Sequence, residues 1–279
     1  MQVFLNKKEI INEFLEIKRL KIKSFDLKRL VDVDIYAARD NGKKDKSFHP
    51  TLLLNDGQDA KPLNIIETMT KWFNDKGRPK FATVGIHSNE QRLREYGVID
   101  NPDYLKRGDK AIEYAKFIHK LIDFFRENNG LFQNKKTNAF AGFSMGGLSA
   151  FNYCWRYDQN FSRVGVFSGS FWWRSKTFDP LHPDAYRIMH KIVRDTVKPP
   201  SLKFWFETGT KDEVCDRNNN GVIDAIDDTL DLIQELKNKG FQDHDLIYEQ
   251  VLNGEHNFKT WAEVFPKFLS WAFPEKITK

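Results

Sequence analysis

Cysteine is nearly absent from this chain of 279 residues, which contains only Cys154 and Cys215. Two cysteines are too few for the disulfide framework on which small secreted domains depend. Long apolar runs are also missing, and no segment reaches the roughly 20 residues that a membrane-spanning helix needs. The N-terminus places no basic stretch ahead of an apolar one, as a signal peptide would. These absences predict a cytoplasmic protein without a membrane partner, or a periplasmic or secreted one if a leader has been removed.

No strongly charged block occurs either. The 44 basic and 39 acidic residues give a formal net charge of +5 and are spread along the chain. Nucleic-acid-binding proteins usually gather basic residues on one face, so we expect no nucleic-acid partner. Internal repeats, low-complexity tracts and linkers are also missing. We therefore predict one domain over residues 1–279, large enough to bury a substantial core, while the oligomeric state is not predicted.

Hydrophobic patterning predicts an α/β fold. Two alternating runs, 14–18 and 31–36, indicate an antiparallel opening pair with one solvated face. Buried strands then alternate with helices, which is typical of a mostly parallel central sheet with right-handed crossovers. The predicted strands are 51–54, 81–86, 139–143, 164–167, 202–206 and 246–252, the predicted helices are 65–73, 112–125, 229–236 and 259–271, and a loop is predicted at 40–46.

The strand predicted at 139–143 runs into Gly142-Phe143-Ser144-Met145-Gly146. The pattern G-x-S-x-G on a strand-to-helix turn is typical of a nucleophile elbow, where the serine backbone is strained and its hydroxyl is exposed. Glycines at both ends lack the Cβ atoms that would collide in so tight a turn. An ordinary glycine-rich turn also fits the pentapeptide alone. Ser144 is therefore a candidate nucleophile whose assignment depends on partners elsewhere.

A serine nucleophile needs a base to take its proton and a carboxylate to orient that base. Asp212 and His256 follow Ser144 in that order, and each stands on a loop after a predicted strand. A solvated loop histidine is the alternative for His256, and Glu213 is a rival for the acid. The residues predict a triad of Ser144, His256 and Asp212 at the carboxyl edge of the sheet.

Other residues are candidates for the surroundings of this triad. An oxyanion hole needs two N–H donors, which we predict to be the backbone groups of Met145 and Gln58. Three aromatic residues follow the strand at 164–167 on the side of the predicted site: Phe171, Trp172 and Trp173. They are candidates to line an aromatic acyl or sugar pocket, and packing in the core is the alternative for each.

Five short motifs occur in order along the chain. They are Leu54-Asn55-Asp56-Gly57-Gln58-Asp59, Gly142-Phe143-Ser144-Met145-Gly146-Gly147, Ser168-Gly169-Ser170-Phe171-Trp172-Trp173, Gly209-Thr210-Lys211-Asp212 and Gly254-Glu255-His256. Over roughly residues 22–273 the chain resembles the putative esterase family of α/β-hydrolases, which includes esterase D, enterobactin esterases, and feruloyl and acetyl-xylan esterases. The resemblance implies an α/β-hydrolase fold without an organic cofactor. It also implies a serine carboxylesterase with the triad Ser144, Asp212 and His256, acting on a small-molecule or glycan-linked ester, for example of the feruloyl, acetyl-sugar or siderophore type.

Residues 216–227 stand apart from this resemblance as an insertion-like segment. They have oxygen donors at positions 1, 3, 5, 9 and 12 and glycine at position 6, a spacing that resembles the calcium loops of EF-hands and dockerins. The predicted ligands are the side chains of Asp216, Asn218, Asn220, Asp224 and Asp227 and the carbonyl of Val222. A solvated turn that binds no metal is the alternative.

Two functions are compatible with these motifs. The first is an esterase with a structural calcium ion that orders Asp212, which lies four residues before Asp216. The second is a calcium-dependent binding module on a catalytically inactive hydrolase scaffold. The complete triad, in the chain order of α/β-hydrolases, favours the esterase.

Overall fold

The computed structural model describes residues 1–39 and 50–275. The predicted loop at 40–46 lies outside the described residues. The strands are β1 (Gln2–Ile10), β2 (Leu15–Ser24), β3 (Arg29–Ala38), β4 (Thr51–Asn55), β5 (Ala82–Ile86), β6 (Ala139–Phe143), β7 (Arg163–Phe167), β8 (Lys203–Lys211) and β9 (Leu246–Glu255). The helices are α1 (Ile65–Asn74), α2 (Arg92–Glu95), α3 (Ala111–Asn129), α4 (Met145–Arg156), α5 (Ile188–Asp195), α6 (Asp224–Asn238) and α7 (Phe258–Ala272).

The strands form one sheet in the order β1-β2-β3-β5-β4-β6-β7-β8-β9. The strands from β1 to β3 pair antiparallel, as do β3 and β5, whereas the pairs from β5 through β9 are parallel. This arrangement confirms the predicted α/β fold with a mostly parallel central sheet and antiparallel N-terminal strands. The sequence did not predict β1, because it lies at the sheet edge with mostly exposed side chains and no apolar face to bury.

Alternation along the buried strands divides the core between the two faces of the sheet. Leu53 belongs to a cluster with side chains of α3, α4, α5 and α6, while Leu52 and Leu54 belong to a second cluster with side chains of α1 and α7. This division follows from the period of two in a strand. Within the described ranges, no helix combines the length and apolar character that crossing a bilayer requires.

The parallel strands end at the same edge, where the candidate residues follow them. Ser144 directly follows β6, Asp212 follows β8 and His256 follows β9. Helix α6 begins at Asp224, five residues before the predicted start. Apolar periodicity missed this first turn because Asp224 and Asp227 occupy it, although carboxylates favour a helix N-terminus.

Candidate active site

Ser144 occupies a strained turn between β6 and α4. Its backbone has φ 53° and ψ −123°, a conformation that costs a non-glycine residue on the order of 1–3 kcal/mol. A Cβ at Gly142 would lie 2.3 Å from the carbonyl oxygen of Gly146, so the turn can close only with glycine there. The Ser144 N–H donates to the carbonyl of Phe167 on β7 at 2.8 Å. Ser144 therefore has the backbone geometry of a nucleophile elbow.

The hydroxyl of Ser144 lies beside that of Ser170. Their Oγ atoms are 3.3 Å apart, and the backbone N–H of Ser170 donates to the Ser144 carbonyl, also at 3.3 Å. Ser170 is buried. Sequence reasoning included Ser170 in a family motif but gave it no role, because only the turn after β7 brings it to the elbow.

Asp212 and His256 lie together after neighbouring strands. The His256 Nδ1 is 4.0 Å from Asp212 Oδ1, which is longer than a hydrogen bond, although catalytic hydrogen bonds often tighten only when substrate binds. Asp212 is buried, and Ser168 donates to its Oδ1 at 3.1 Å. Trp261 Nε1 donates in turn to Ser168 Oγ at 2.9 Å. These contacts orient the Asp212 carboxylate toward the histidine loop.

Partial burial shifts the pKa values of both His256 and Asp212. It lowers the pKa of His256 below its usual 6.5, with the nearby Arg92 charge acting in the same direction and Asp212 opposing it. A lowered pKa keeps the imidazole neutral near pH 7, as a general base requires. Burial raises the pKa of Asp212 above its usual value, while the Ser168 hydrogen bond and the His256 charge lower it.

The rival acid Glu213 lies next to a different group. Its pKa is raised by burial and by the negative charge of Asp224 at the start of α6. The carboxylate within 4.0 Å of His256 belongs to Asp212. The geometry therefore favours Asp212 as the partner of the histidine.

The two predicted oxyanion donors lie on segments that a hydrogen bond connects. The Asn55 side chain donates to the carbonyl of Gly146 at 2.8 Å, which joins the end of β4 to the start of α4. Within the described part of the chain, the backbone N–H groups of Gln58 and Met145 donate to no acceptor. Both groups are therefore available to a substrate oxygen.

A partly buried ion pair supports the same corner. Arg92 Nε and Nη2 donate to the two carboxylate oxygens of Asp56, both at 2.8 Å, and Ser88 Oγ donates to Asp56 Oδ1 at 2.9 Å. Arg92 Nη2 also lies 3.4 Å from the carbonyl of Phe143, one residue before Ser144. The bidentate pair fixes the segment around α2 against the elbow. Sequence reasoning missed this contact because the paired residues are 36 positions apart.

Comparison with known proteins identifies the family. The profile of the family described as putative esterase matches residues 27–272. The chain belongs to the putative esterase family. This confirms the family resemblance seen in the motifs, and it supports a carboxylic ester hydrolase. In this family match, the elbow serine, Asp212 and His256 all fall within the matched range.

Individual relatives of this esterase-family chain are distant. An uncharacterized protein, YbbA, of Bacillus subtilis (strain 168) is 23% identical over 238 residues, covering 82% of this chain and 87% of the relative. The enterobactin esterase of Shigella flexneri superposes with a TM-score of 0.71 at 17% identity, covering 96% of this chain and 60% of that one. A ferulic acid esterase gives 0.69 at 15% identity, covering 94% and 99%. The S-formylglutathione hydrolase of Staphylococcus aureus gives 0.62 at 15%, covering 92% and 98%. These structural neighbours show that the chain has the same fold. The chain spans about 60% of the length of the enterobactin esterase.

Two of the three predicted substrate-binding aromatics of this esterase-family chain are buried, so the prediction for them was wrong. Phe171 and Trp173 are both 0% exposed. Phe171 packs edge-on against Phe151 of α4, with ring centroids 5.6 Å apart. Trp173 Nε1 donates to the carbonyl of Asn101 at 3.0 Å. Phe171 thus packs in the core against α4, and the Trp173 ring packs against Gly97 and Gly108, so neither lines a substrate pocket.

Trp172, unlike Phe171 and Trp173, is partly exposed. It lines a cavity of about 560 Å³ together with Tyr104, Phe178 and Arg174. The guanidinium of Arg107 lies 4.6 Å from the centre of a Trp172 ring, which holds the indole in place by a cation–π contact. Of the three aromatic candidates in this esterase-family chain, Trp172 can therefore contact a ligand.

The segment 216–227 folds as a compact loop whose polar side chains converge. Asp216 accepts from the backbone N–H groups of Asn220 and Gly221 at 3.1 and 2.9 Å. Gly221 has φ +84°, the left-handed conformation that a sixth-position glycine provides. The amides of Asn218 and Asn220 both reach Asp227 Oδ2, at 3.1 and 2.7 Å. Side chains from positions 1, 3, 5 and 12 are thus gathered in one place.

The ninth position of the loop has a different partner. Asp224 Oδ1 accepts from the backbone N–H of Arg217 at 2.8 Å and lies 3.1 Å from its guanidinium. The Arg217 side chain is 4% exposed and also pairs with Asp228 at 3.0 Å, which anchors the loop to α6. Among the described residues, no group of three or more histidine, cysteine, aspartate or glutamate side chains could hold a metal ion. A calcium ion here would depend on asparagine oxygens and the Val222 carbonyl as well as on carboxylates.

Proposed function

We propose that this chain is a serine carboxylesterase that works through an acyl-enzyme. The observation that carries the proposal is the strained backbone of Ser144, at the same sheet edge as the Asp212–His256 pair. A strained elbow is costly to retain, and nucleophilic catalysis gives a reason for it. The same strain speaks against the alternative of a calcium-dependent binding module on an inactive scaffold.

The proposed reaction has two halves. Ser144 Oγ attacks the ester carbonyl carbon while His256 takes its proton, and the oxyanion accepts from the N–H groups of Met145 and Gln58. The carbon–oxygen bond to the alcohol then breaks, and His256 returns the proton to the departing oxygen. Water, deprotonated by His256, then attacks the acyl-enzyme carbonyl carbon. The bond to Ser144 Oγ breaks, His256 returns the proton to that oxygen, and the acid is released. Ser144 must exchange its Ser170 contact for one with His256 before the first attack.

The cavity beside Trp172 supports an ester with an aromatic acyl or sugar group. An indole fixed by Arg107 offers a flat apolar face, and Tyr104 and Phe178 add further aromatic surface. Aromatic contacts of this kind each contribute about 0.5–1.5 kcal/mol. The ferulic acid esterase among the structural neighbours is named for an aromatic acid, which agrees with this proposal.

A substrate screen tests the activity and the pocket together. We expect turnover of acetyl and feruloyl esters, with thioester and siderophore substrates as further comparisons. Trp172→Ala should raise KM for the aromatic ester by about 3- to 10-fold, while p-nitrophenyl acetate, whose acyl group carries no ring, serves as the internal control. Absence of hydrolysis across the screen would contradict the esterase, and cleavage of thioesters alone would exclude the aromatic and sugar esters.

We further propose that residues 216–227 bind one structural calcium ion. The side chains of Asp216, Asn218, Asn220 and Asp227 would supply oxygens, Val222 its carbonyl, and Asp224 a contact through water because Arg217 already occupies it. The convergence of four of these side chains supports the fit. By ordering the segment that follows β8, the ion would restrict the backbone of Asp212.

Calcium should raise the melting temperature of the wild type. A ligand at 100 times its Kd stabilises by about 2.7 kcal/mol, which for a chain of this size corresponds to roughly 5–10 °C. Melting curves in chelator and in millimolar calcium should show this shift, and Asp216→Ala should lose it. Asp243→Ala, an exposed acidic residue elsewhere, is the matched control and should keep it.

Two results would separate the parts of this proposal. If the wild type shows no shift and elemental analysis finds no bound metal, the loop is only a turn. If calcium raises the melting temperature but leaves ester hydrolysis unchanged, the ion is structural and does not order Asp212.

A further inference from the structure

A second buried carboxylate lies behind the proposed triad acid. Glu207 lies in β8, five residues before Asp212, and is 1% exposed. Its backbone carbonyl accepts from the N–H of Ser168 at 2.8 Å, and its Oε2 lies 3.5 Å from Ser168 Oγ. Neither the family motifs nor the proposed mechanism gives this glutamate a role.

Ser168 is the group that both carboxyls share. Its Oγ is 3.1 Å from Asp212 Oδ1 and 3.5 Å from Glu207 Oε2, and it accepts from Trp261 Nε1 at 2.9 Å. A serine hydroxyl has one proton to donate and two acceptor sites. It can therefore donate to only one carboxyl, and its remaining acceptor site is free for a donor from the other.

One arrangement of protons pairs all three side chains. If Glu207 carries a proton, its O–H donates to Ser168 Oγ, and the Ser168 hydroxyl donates to Asp212, so all three groups are paired. If Glu207 were ionised, the single Ser168 proton would have to serve two carboxylates. One of them would then remain buried without a side-chain donor, which is costly in a low-dielectric environment.

We propose that Glu207 is a positioning residue for the triad acid: in its protonated form it donates to Ser168, which then holds Asp212 in place for His256. This proposal rests on the proposed function for the roles of Asp212 and His256. Glu207 touches no reacting atom and acts through Ser168. Its proton makes the support of Asp212 dependent on pH.

The surroundings of Glu207 favour the protonated form. Burial raises its pKa to about 8, and the negative charge of Asp212 acts in the same direction, as does that of Glu249 on β9. The other titratable groups nearby are Tyr248 on β9, whose pKa is raised mainly by burial, and His256 beyond Asp212. The Ser168 hydrogen bond acts in the opposite direction without cancelling the effect of burial.

Two substitutions of Glu207 test whether its role is to donate a hydrogen bond to Ser168. Glu207→Gln keeps the size and still offers an N–H donor to Ser168, so kcat at pH 7 should stay within about threefold of the wild type. Glu207→Leu removes the donor and should lower kcat by roughly 10- to 100-fold with little change in KM, because a displaced catalytic group can cost that much. Glu67→Gln, an exposed glutamate of α1 paired with Lys71, is the control and should leave kcat unchanged.

The pH profile tests the proton itself. Above about pH 8 the wild type should lose activity as Glu207 ionises beside Asp212, and Glu207→Gln should lack this alkaline decline. Similar alkaline limbs in the two proteins, or a Gln variant as impaired as the Leu variant, would overturn the proposal. Unchanged kcat in Glu207→Leu would do the same.

A stability measurement distinguishes failure of this proposal from failure of the proposed function. Because the pKa of Glu207 in the folded chain lies above its usual 4.5, the unfolded chain loses this proton first as pH rises. The stability of the wild type relative to Glu207→Gln should therefore fall between about pH 4.5 and pH 8 and then level off. The difference in melting temperature should change by about 5 °C or more over that range. A constant difference would mean that Glu207 is ionised throughout, whatever the identity of the nucleophile.

Discussion

Ser144→Ala is expected to lower kcat for p-nitrophenyl acetate by about 10⁵-fold or more. Removal of the nucleophile from a serine triad leaves only the contributions of substrate binding and the oxyanion donors. Those donors are backbone N–H groups of Gln58 and Met145, which the substitution does not remove. The residual rate should therefore exceed the uncatalysed rate but remain far below that of the wild type.

Ser170→Ala is the matched control for this substitution. It removes a hydroxyl 3.3 Å from Ser144 Oγ without removing the proposed nucleophile, so its rate should stay within about tenfold of the wild type, as expected for the loss of one neutral hydrogen bond. Circular dichroism would verify that both variants are folded. Wild-type turnover in Ser144→Ala, or a loss in Ser170→Ala as large as that in Ser144→Ala, would contradict the assignment of the nucleophile.

Asp212→Asn is expected to lower kcat by about 10⁴-fold. An asparagine has nearly the same shape but favours the wrong imidazole tautomer, and this effect has the same magnitude in a serine triad. Glu213→Gln, one residue away, should cost only a few-fold, because Glu213 lies beside Asp224 rather than His256. Steady-state kinetics of the two variants at pH 7 compare the acids directly. The reverse order of effects would assign the role to Glu213.

The central sheet could be predicted from the sequence because its strands are short, buried and separated by helices. The prediction for β6, residues 139–143, coincides with the observed strand, and the elbow that follows it is a local pattern of five residues. The edge strand β1 and the first turn of α6 were missed because neither depends on an apolar stripe. Patterning thus predicts the parts of the fold that hydrophobic burial determines.

The surroundings of the site could not be predicted in the same way. Only tertiary packing brings Ser168 to Asp212, Glu207 to Ser168 and Arg92 to Asp56. These contacts span separations of 36 to 44 residues. The sequence also gave no means to separate Trp172 from the buried Phe171 and Trp173, since all three follow β7 on one turn. Calcium binding, the cytoplasmic location and the single domain stay predictions.

The central claim is that Ser144 forms a covalent intermediate. The most direct test is to treat the wild type with a p-nitrophenyl phosphonate ester, which reacts as an ester does but leaves a stable adduct, and to locate the adduct by peptide mass spectrometry. We predict one adduct per chain, on the peptide that contains Ser144, and no adduct in Ser144→Ala. Stoichiometric labelling of another residue, or no labelling of a chain that still hydrolyses esters, would contradict the account.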